Sequence, residues 1–310
     1  LAELLPFVDW TPYFQTWDLA GRFPAILDDA VVGEQAKKVY ADAQAMLHKI
    51  VEERWLTANA VFGFWPANTV RDDDIECYAD ENREEVVLTW HNLRQQSEKG
   101  LAEDGQYLPS RCLADFIAPR QTAISTEATQ AGLAASNGKN TSKKDYLGAF
   151  AVTAGLGCDE KVAEFMAQMD DYNAILLKAL ADRLAEATAE WLHWRVRTDL
   201  WGYAKDEGLD NDALIAEKYQ GIRPAPGYPS CPDHSIKAPL FDLLKAEEID
   251  MGLTDSMAMT PAASVSGFYF SHPDSHYFLV GKVGEDQASD LAERSGVPLT
   301  QLKRFLGSNL

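Results

Sequence analysis

The sequence predicts an α+β fold organised on antiparallel strands. Strand-like runs follow one another between residues 60 and 118, a long helical stretch occupies 161–201, and strands and helices nowhere alternate in a βαβ rhythm. At 310 residues, with 46% hydrophobic and 10% aromatic content, the chain can build one large core or two ordinary ones and is not globally disordered.

Taken in order, VDWTPYFQTW (8–17) mixes aromatics and prolines without helical period and reads as a tucked loop. From Gly33 to Trp55, Val39, Met46 and Ile50 recur at helical spacing. AVFGFWPANTV (60–70) reads as a buried strand, and DDIECYAD (73–80) and EEVVLTW (84–90) as strands flanking a polar turn at 81–83. CLADFIA (112–118) and DYLGAFAVTAGLG (145–157) are further strand candidates, the latter ending in a glycine turn. Residues 121–144 are rich in Ala, Ser, Thr, Gly and Asn and read as a surface insertion.

In 161–201, Phe165, Met169, Tyr172, Leu176, Leu180, Leu184 and Ala187 share one helical face. On another, Asp182, Glu186 and Glu190 stand four apart, a row that repels itself unless solvated or facing a cation. The solvated face is the plainer reading. A short helix at 210–217, a helix around 239–252, and two strands joined by the turn His-Pro-Asp-Ser within 263–283 follow. Helix 285–296 and a last helix in VPLTQLKRFLG, started by proline and capped by threonine, close the chain.

The chain carries 28 basic and 48 acidic residues, a net charge of −20, which argues against nucleic acid and anionic membrane surfaces and is compatible with a cationic ligand. No apolar run is long enough to span a membrane. Cys77, Cys112, Cys158 and Cys231 lie far apart, without zinc spacing, and read as reduced thiols of a cytoplasmic protein. The absence of an initiator Met before a packed-looking opening suggests a piece of a longer polypeptide. GxSxG, HExxH and GxGxxG are absent, and NGKNTSKKD fails the phosphate-loop spacing. His272 and His276 read as turn histidines, because Pro273 between them makes a helical metal face unfavourable.

The most unusual stretch is IRPAPGYPSCPDH (222–234), with four prolines in nine positions. It can be neither helix nor central strand. An arginine before a stiff, carbonyl-rich loop suits a zwitterion, because guanidinium takes a carboxylate in two hydrogen bonds and carbonyls left without an intrachain partner can accept from an amine. The alternative is that Arg223 pairs an acidic neighbour, and the residues alone leave the two readings level. Similarly, Asp9 could meet an ammonium group or cap the turn at Thr11, and Asp233 could orient His234 only if two adjacent side chains turned the same way.

RPAPGYPSCPDH resembles the R-x-x-x-G-Y signature of the S-adenosylmethionine-binding activation domain of cobalamin-dependent methionine synthase. FVDWTPYFQTWDLAG, DDYNAILLKALADRLAEA, YQGIRPAPGYPSCPDH and ASVSGFYFSHPDSHYF are similar to that family's segments, in the family's order, and the resemblance covers essentially the whole chain. It implies a single C-shaped α+β domain over 1–310 with a long twisted antiparallel sheet and flanking helices. It also implies that Arg223 holds the ligand carboxylate and Asp9 its amino group. The backbone at Ala225 and Gly227, and Tyr277, would lie against the ligand, and Glu186 and Glu217 near its sulfonium. Tyr228 and His234 would face the corrin.

The implied task is reductive methylation of cob(II)alamin, with S-adenosylmethionine as methyl donor and a reduced flavodoxin-like or other flavoprotein as electron donor. Cobalamin would be held by a neighbouring domain of the same polypeptide and zinc elsewhere in the full enzyme, since the D-x-H-x-x-G motif and clustered zinc cysteines are absent here. The isolated fragment is expected to be monomeric and not to turn over. The rival readings are an acidic non-catalytic module that docks a partner and a free-standing S-adenosylmethionine methyltransferase.

Overall fold

In the computed structural model, which describes residues 1–97, 99–101, 105–120 and 144–310, strands pair antiparallel and helices flank them. The expected 121–144 insertion lies outside the described residues except for Lys144. The five-stranded sheet has the order β3-β2-β1-β4-β7, where β1 is Thr57–Val70, β2 Asp74–Tyr78, β3 Val86–His91, β4 Asp145–Leu156 and β7 Ser264–Tyr269. Two short strands, β5 (Gly252–Leu253) and β6 (Met259–Thr260), pair separately. By its internal contacts the chain divides into two compact units: residues 1–63, 149–225 and 237–273 form the first, and 64–148, 226–236 and 274–310 the second.

In the first unit the central element is α4 (Asp171–Arg195), whose Leu176, Leu180, Leu184 and Ala187 are buried. Burying each leucine contributes roughly 1.5–3 kcal/mol. The expected single helix over 161–201 is instead broken. Helix α3 (Cys158–Ala167) ends before Gln168–Asp170, and α4 starts afresh because Asp170 accepts a hydrogen bond from the Asn173 N–H. Met169 is thereby 90% exposed and lies off the apolar face. Gly157 starts α3 with φ 88°, and a Cβ there would run into the Trp55 carbonyl. After α4 the chain widens into a π turn over Val196–Leu200, where the Trp201 N–H donates to the Val196 carbonyl.

The segment expected as a loop at 8–17 is largely helix, α1 (Thr11–Thr16). Its second residue, Pro12, supplies a preset φ in the first turn, where no N–H is missed. Leu4, Val8 and Ala187 form a small buried cluster with Phe7, Trp10 and Trp191 against it. Helix α2 (Gly33–Glu52) buries Ala36, Val39, Met46 and Ile50 as its period predicts. Helices α5 (Asn211–Ile215) and α6 (Lys237–Leu244) complete this unit.

In the second unit, β2 pairs with β3 and with the end of β1. β1 is only partly buried, most fully at Pro66, Ala67 and Asn68, so it is not the uniformly buried strand the sequence suggests. Residues 112–118 are a 3-10 turn (Leu113–Phe116) and not a strand: Asp115 accepts from the Cys112 N–H, and the Thr69 hydroxyl donates to the Ala114 carbonyl, closing the turn. Helices α7 (Glu285–Ser295) and α8 (Leu299–Leu306) bury Leu291, Leu302 and Leu306 with Val280 and Val283. Gly296 ends α7 at φ 69°, while Pro298 precedes α8 and Thr300 makes no cap.

The expected hairpin over 263–283 does not form. β7 stands, but residues 278–280 bond to the proline loop instead: Phe278 N–H donates to Ser230 Oγ and Val280 N–H to the Pro229 carbonyl. All four cysteines are buried and form no disulfide. No helix of the described residues is long and apolar enough to cross a membrane.

Candidate functional site

Positions 186, 190, 193 and 197 recur at spacings of four, three and four, so α4 and the π turn carry one polar stripe beside an apolar face. Glu190, His193 and Arg197 on that stripe are buried. Arg223 meets it from the proline loop. Its Nη2 donates to Glu190 Oε2 at 2.7 Å, and its Nη1 donates to the Tyr219 hydroxyl at 3.0 Å and lies 3.2 Å from His193 Nδ1.

The last contact fixes a protonation state. Guanidinium can only donate, so His193 Nδ1 accepts, and the imidazole is neutral with its proton on Nε2, which faces the Tyr203 hydroxyl at 3.4 Å. Complete burial, then the charges of Arg197 and Arg223, hold the His193 pKa well below its ordinary value. The ring stacks on Tyr269 at 5.2 Å and takes Tyr219 edge-on at 4.9 Å.

Behind it, Arg197 forms a two-point pair with Glu207, Nε to Oε2 at 2.8 Å and Nη2 to Oε1 at 2.7 Å, and its guanidinium lies 4.2 Å from the Tyr219 ring centre. Glu190 Oε1 and Arg197 Nη1 stand 4.0 Å apart, and each lacks a hydrogen-bond partner. Two buried carboxylates therefore balance two guanidinium groups.

A pH effect follows. The unfolded chain protonates His193 near pH 6.5 and the folded chain does not, so the unfolded state binds the extra proton and stability falls as pH drops below about 6.5. His193→Gln is expected to remove a pH dependence between pH 6.5 and 5 whose slope steepens toward at most about 1.4 kcal/mol per pH unit. Urea denaturation at both pH values checks this; parallel profiles for wild type and variant would contradict it.

The loop that carries Arg223 is pinned on both sides. Ile222 exchanges backbone hydrogen bonds with Phe270, and the Pro224 carbonyl accepts from the Phe268 N–H at 3.0 Å. Gly267 permits the close pass, since a Cβ there would meet the Pro224 carbonyl. The expectation of unpartnered carbonyls along the loop is thus corrected: those of Pro224, Tyr228, Pro229 and Cys231 all accept backbone hydrogen bonds. Ala225 is buried, and its backbone takes no hydrogen bond among the described residues.

Of the other expected residues of the first unit, Glu217 is electrically close to the cluster: burial raises its carboxyl, Arg223 lowers it and Glu190 raises it again. Glu186 lies half-buried one turn before Glu190. Asp9 accepts from the Thr11 N–H at 2.9 Å, so it does cap that turn. It also lines a cavity of about 700 Å³ with Trp10, Arg22, Phe23 and Asp212, a lining that does not include Arg223.

In the second unit, Gly227 takes φ 95°, its N–H donates to the Cys231 carbonyl at 2.7 Å, and a Cβ there would overlap the His234 ring. Tyr228 is 53% exposed, and Tyr277 is half-buried beside Phe278, which Ser230 holds to the loop. Asp233 does not orient His234 by a hydrogen bond: its oxygens accept from the Ser235 N–H and hydroxyl, at 2.8 and 2.5 Å.

The sequence reading missed Glu190 as a partner of Arg223, because a carboxylate row on a helix ordinarily faces water. It did not single out His193, Arg197, Glu207 or Tyr219. The usable signal was the continuation of that row through His193 and Arg197, four polar groups in register on a helix otherwise rich in Ala and Leu.

Compared with known proteins, residues 1–296 match the family described as vitamin B12 dependent methionine synthase, activation domain. A similar solved structure is that of the MetH reactivation domain bound to AdoHcy, at 50% identity and a TM-score of 0.85, covering 99% of this chain and 87% of that one.

Proposed function

Because the chain belongs to the activation-domain family of vitamin B12-dependent methionine synthase, we propose that it binds S-adenosylmethionine and presents it for methylation of the enzyme's cobalamin. The observation that carries the reading is Arg223. It is a cation held on a backbone pinned at both neighbours, with its side chain 19% exposed, and it stands beside the unpaired backbone of Ala225. The similar reactivation domain is bound to AdoHcy, a ligand with the same carboxylate, amine and adenosine.

In this reading Arg223 takes the carboxylate, Asp9 the ammonium and the Ala225 backbone the body of the ligand, while Glu186 and Glu217 lie toward the cationic sulfur. Gly227 and Tyr277, in the second unit, are candidates on the family resemblance alone. When bound, S-adenosylmethionine supplies a methyl group on a sulfonium that departs as a neutral thioether. The residues of this chain therefore have to bind and orient, and need supply no nucleophile. Tyr228 and His234 are the proposed surface toward the corrin. The partners are the cobalamin domain of the same polypeptide and a reduced flavoprotein, and the fragment alone binds the donor without turnover.

Thermal unfolding with added ligand tests the assignment. A ligand that binds only the folded state stabilises by about 2.7 kcal/mol at roughly a hundredfold excess over Kd. S-adenosylmethionine and S-adenosylhomocysteine are both expected to raise Tm. An unchanged Tm at millimolar concentration of either would overturn it.

A further inference from the structure

We propose that Glu190 is a positioning residue for ligand recognition, fixing the Arg223 guanidinium in its reading orientation before the ligand arrives, with the Tyr219 hydroxyl and His193 as its second anchor. The inference rests on the reading of Arg223 as the carboxylate partner.

Arg223 is gripped from two sides. Glu190 Oε2 takes Nη2 at 2.7 Å, while the Tyr219 hydroxyl and His193 Nδ1 take Nη1 at 3.0 and 3.2 Å. The gripping groups are themselves fixed. Glu190 and His193 lie three apart on α4, and Tyr219 is wedged between the His193 ring and the Arg197 guanidinium. A long arginine loses much rotamer freedom when ordered, and ordering it in the ligand-free protein removes that penalty from binding.

Glu190 would instead compete with a ligand carboxylate if its whole charge lay on Arg223. Its second oxygen, however, faces Arg197 Nη1 at 4.0 Å, so part of its field falls on that second cation and not on Arg223. Arg197 in turn is held by Glu207, so the arrangement is closed on its far side.

The sign of one substitution separates these cases. S-adenosylhomocysteine affinity is measured by calorimetry, titrated to millimolar ligand, for wild type, Glu190→Ala, Glu190→Gln, Arg223→Ala and the Glu190→Ala/Arg223→Ala double variant, with folding of each checked by circular dichroism. Glu190→Ala is expected to weaken binding about tenfold or more, and Glu190→Gln, which keeps an acceptor, to recover most of it. In the Arg223→Ala background the same change is expected to matter less than about twofold, because a positioning residue acts only through what it positions.

Unchanged or tighter binding by Glu190→Ala, or an equal loss in both backgrounds, would overturn the positioning role while leaving the ligand assignment standing. No binding by wild type would remove the assignment itself. If Glu190→Ala does not fold, Tyr219→Phe, which deletes one hydroxyl, enters the same cycle with the same criterion.

Discussion

Arg223→Ala is expected to weaken S-adenosylhomocysteine binding by roughly 2–5 kcal/mol, the range for losing a charge-assisted, desolvated pair whose partner remains. The same substitution at Arg183, half-buried on α4 and outside the cluster, is the control and is expected to leave affinity nearly unchanged. The large effect has two sources. The ligand carboxylate loses its bidentate donor, and Glu190, 9% exposed at its side chain, loses its nearest cation and is left with Arg197 at 4.0 Å. Stability therefore falls alongside affinity, and titrations belong at a temperature where circular dichroism shows the variant folded. Equal affinities for the two variants would make the proline loop a connector.

The largest expected loss of stability is elsewhere in the same cluster. Glu207→Ala removes the two-point partner of Arg197, whose side chain is fully buried. An uncompensated buried charge destabilises by roughly 3–5 kcal/mol, whereas replacing both partners by apolar groups of similar size is often neutral. The double variant Arg197→Met/Glu207→Leu is accordingly expected to be more stable than Glu207→Ala alone. Urea denaturation with comparison of midpoints at constant m-value measures both. A single-variant loss under about 1 kcal/mol would mean that water reaches Arg197 and that the cluster is not closed.

How much of this was legible beforehand divides along physical lines. Helices α2 and α7 and strands β2, β3 and β4 were readable because periodicity reports burial directly, as Val39, Met46 and Ile50 show. The break between α3 and α4 was not, since it depends on one side-chain cap at Asp170 within a continuous apolar pattern. Residues 112–118 and 276–283 have strand composition, but their backbone groups find partners in Asp115 within the turn itself and in the distant Thr69, Ser230 and Pro229, and local pattern cannot foresee partners that far off in sequence.

At the site, the motif around Arg223 and Gly227 was legible through its resemblance to the R-x-x-x-G-Y signature, of which only the glycine, at φ 95°, answers a local demand of the backbone. The residues that grip Arg223 were not, because a buried carboxylate and a surface one look alike in a sequence. Only the fold decides which way α4 turns them.

The four enclosed cysteines have a use in the laboratory. Thiolate is the reactive form, and burial pushes the thiol of Cys77 up to about 12 and that of Cys158 to about 11, so at neutral pH almost none of either is ionised while folded. An alkylating reagent thus meets inert sulfur until the backbone around it opens. Cys158 belongs to the first unit and Cys77, Cys112 and Cys231 to the second, so each unit carries its own native clock, and labelling by mass can time their openings separately without an added probe.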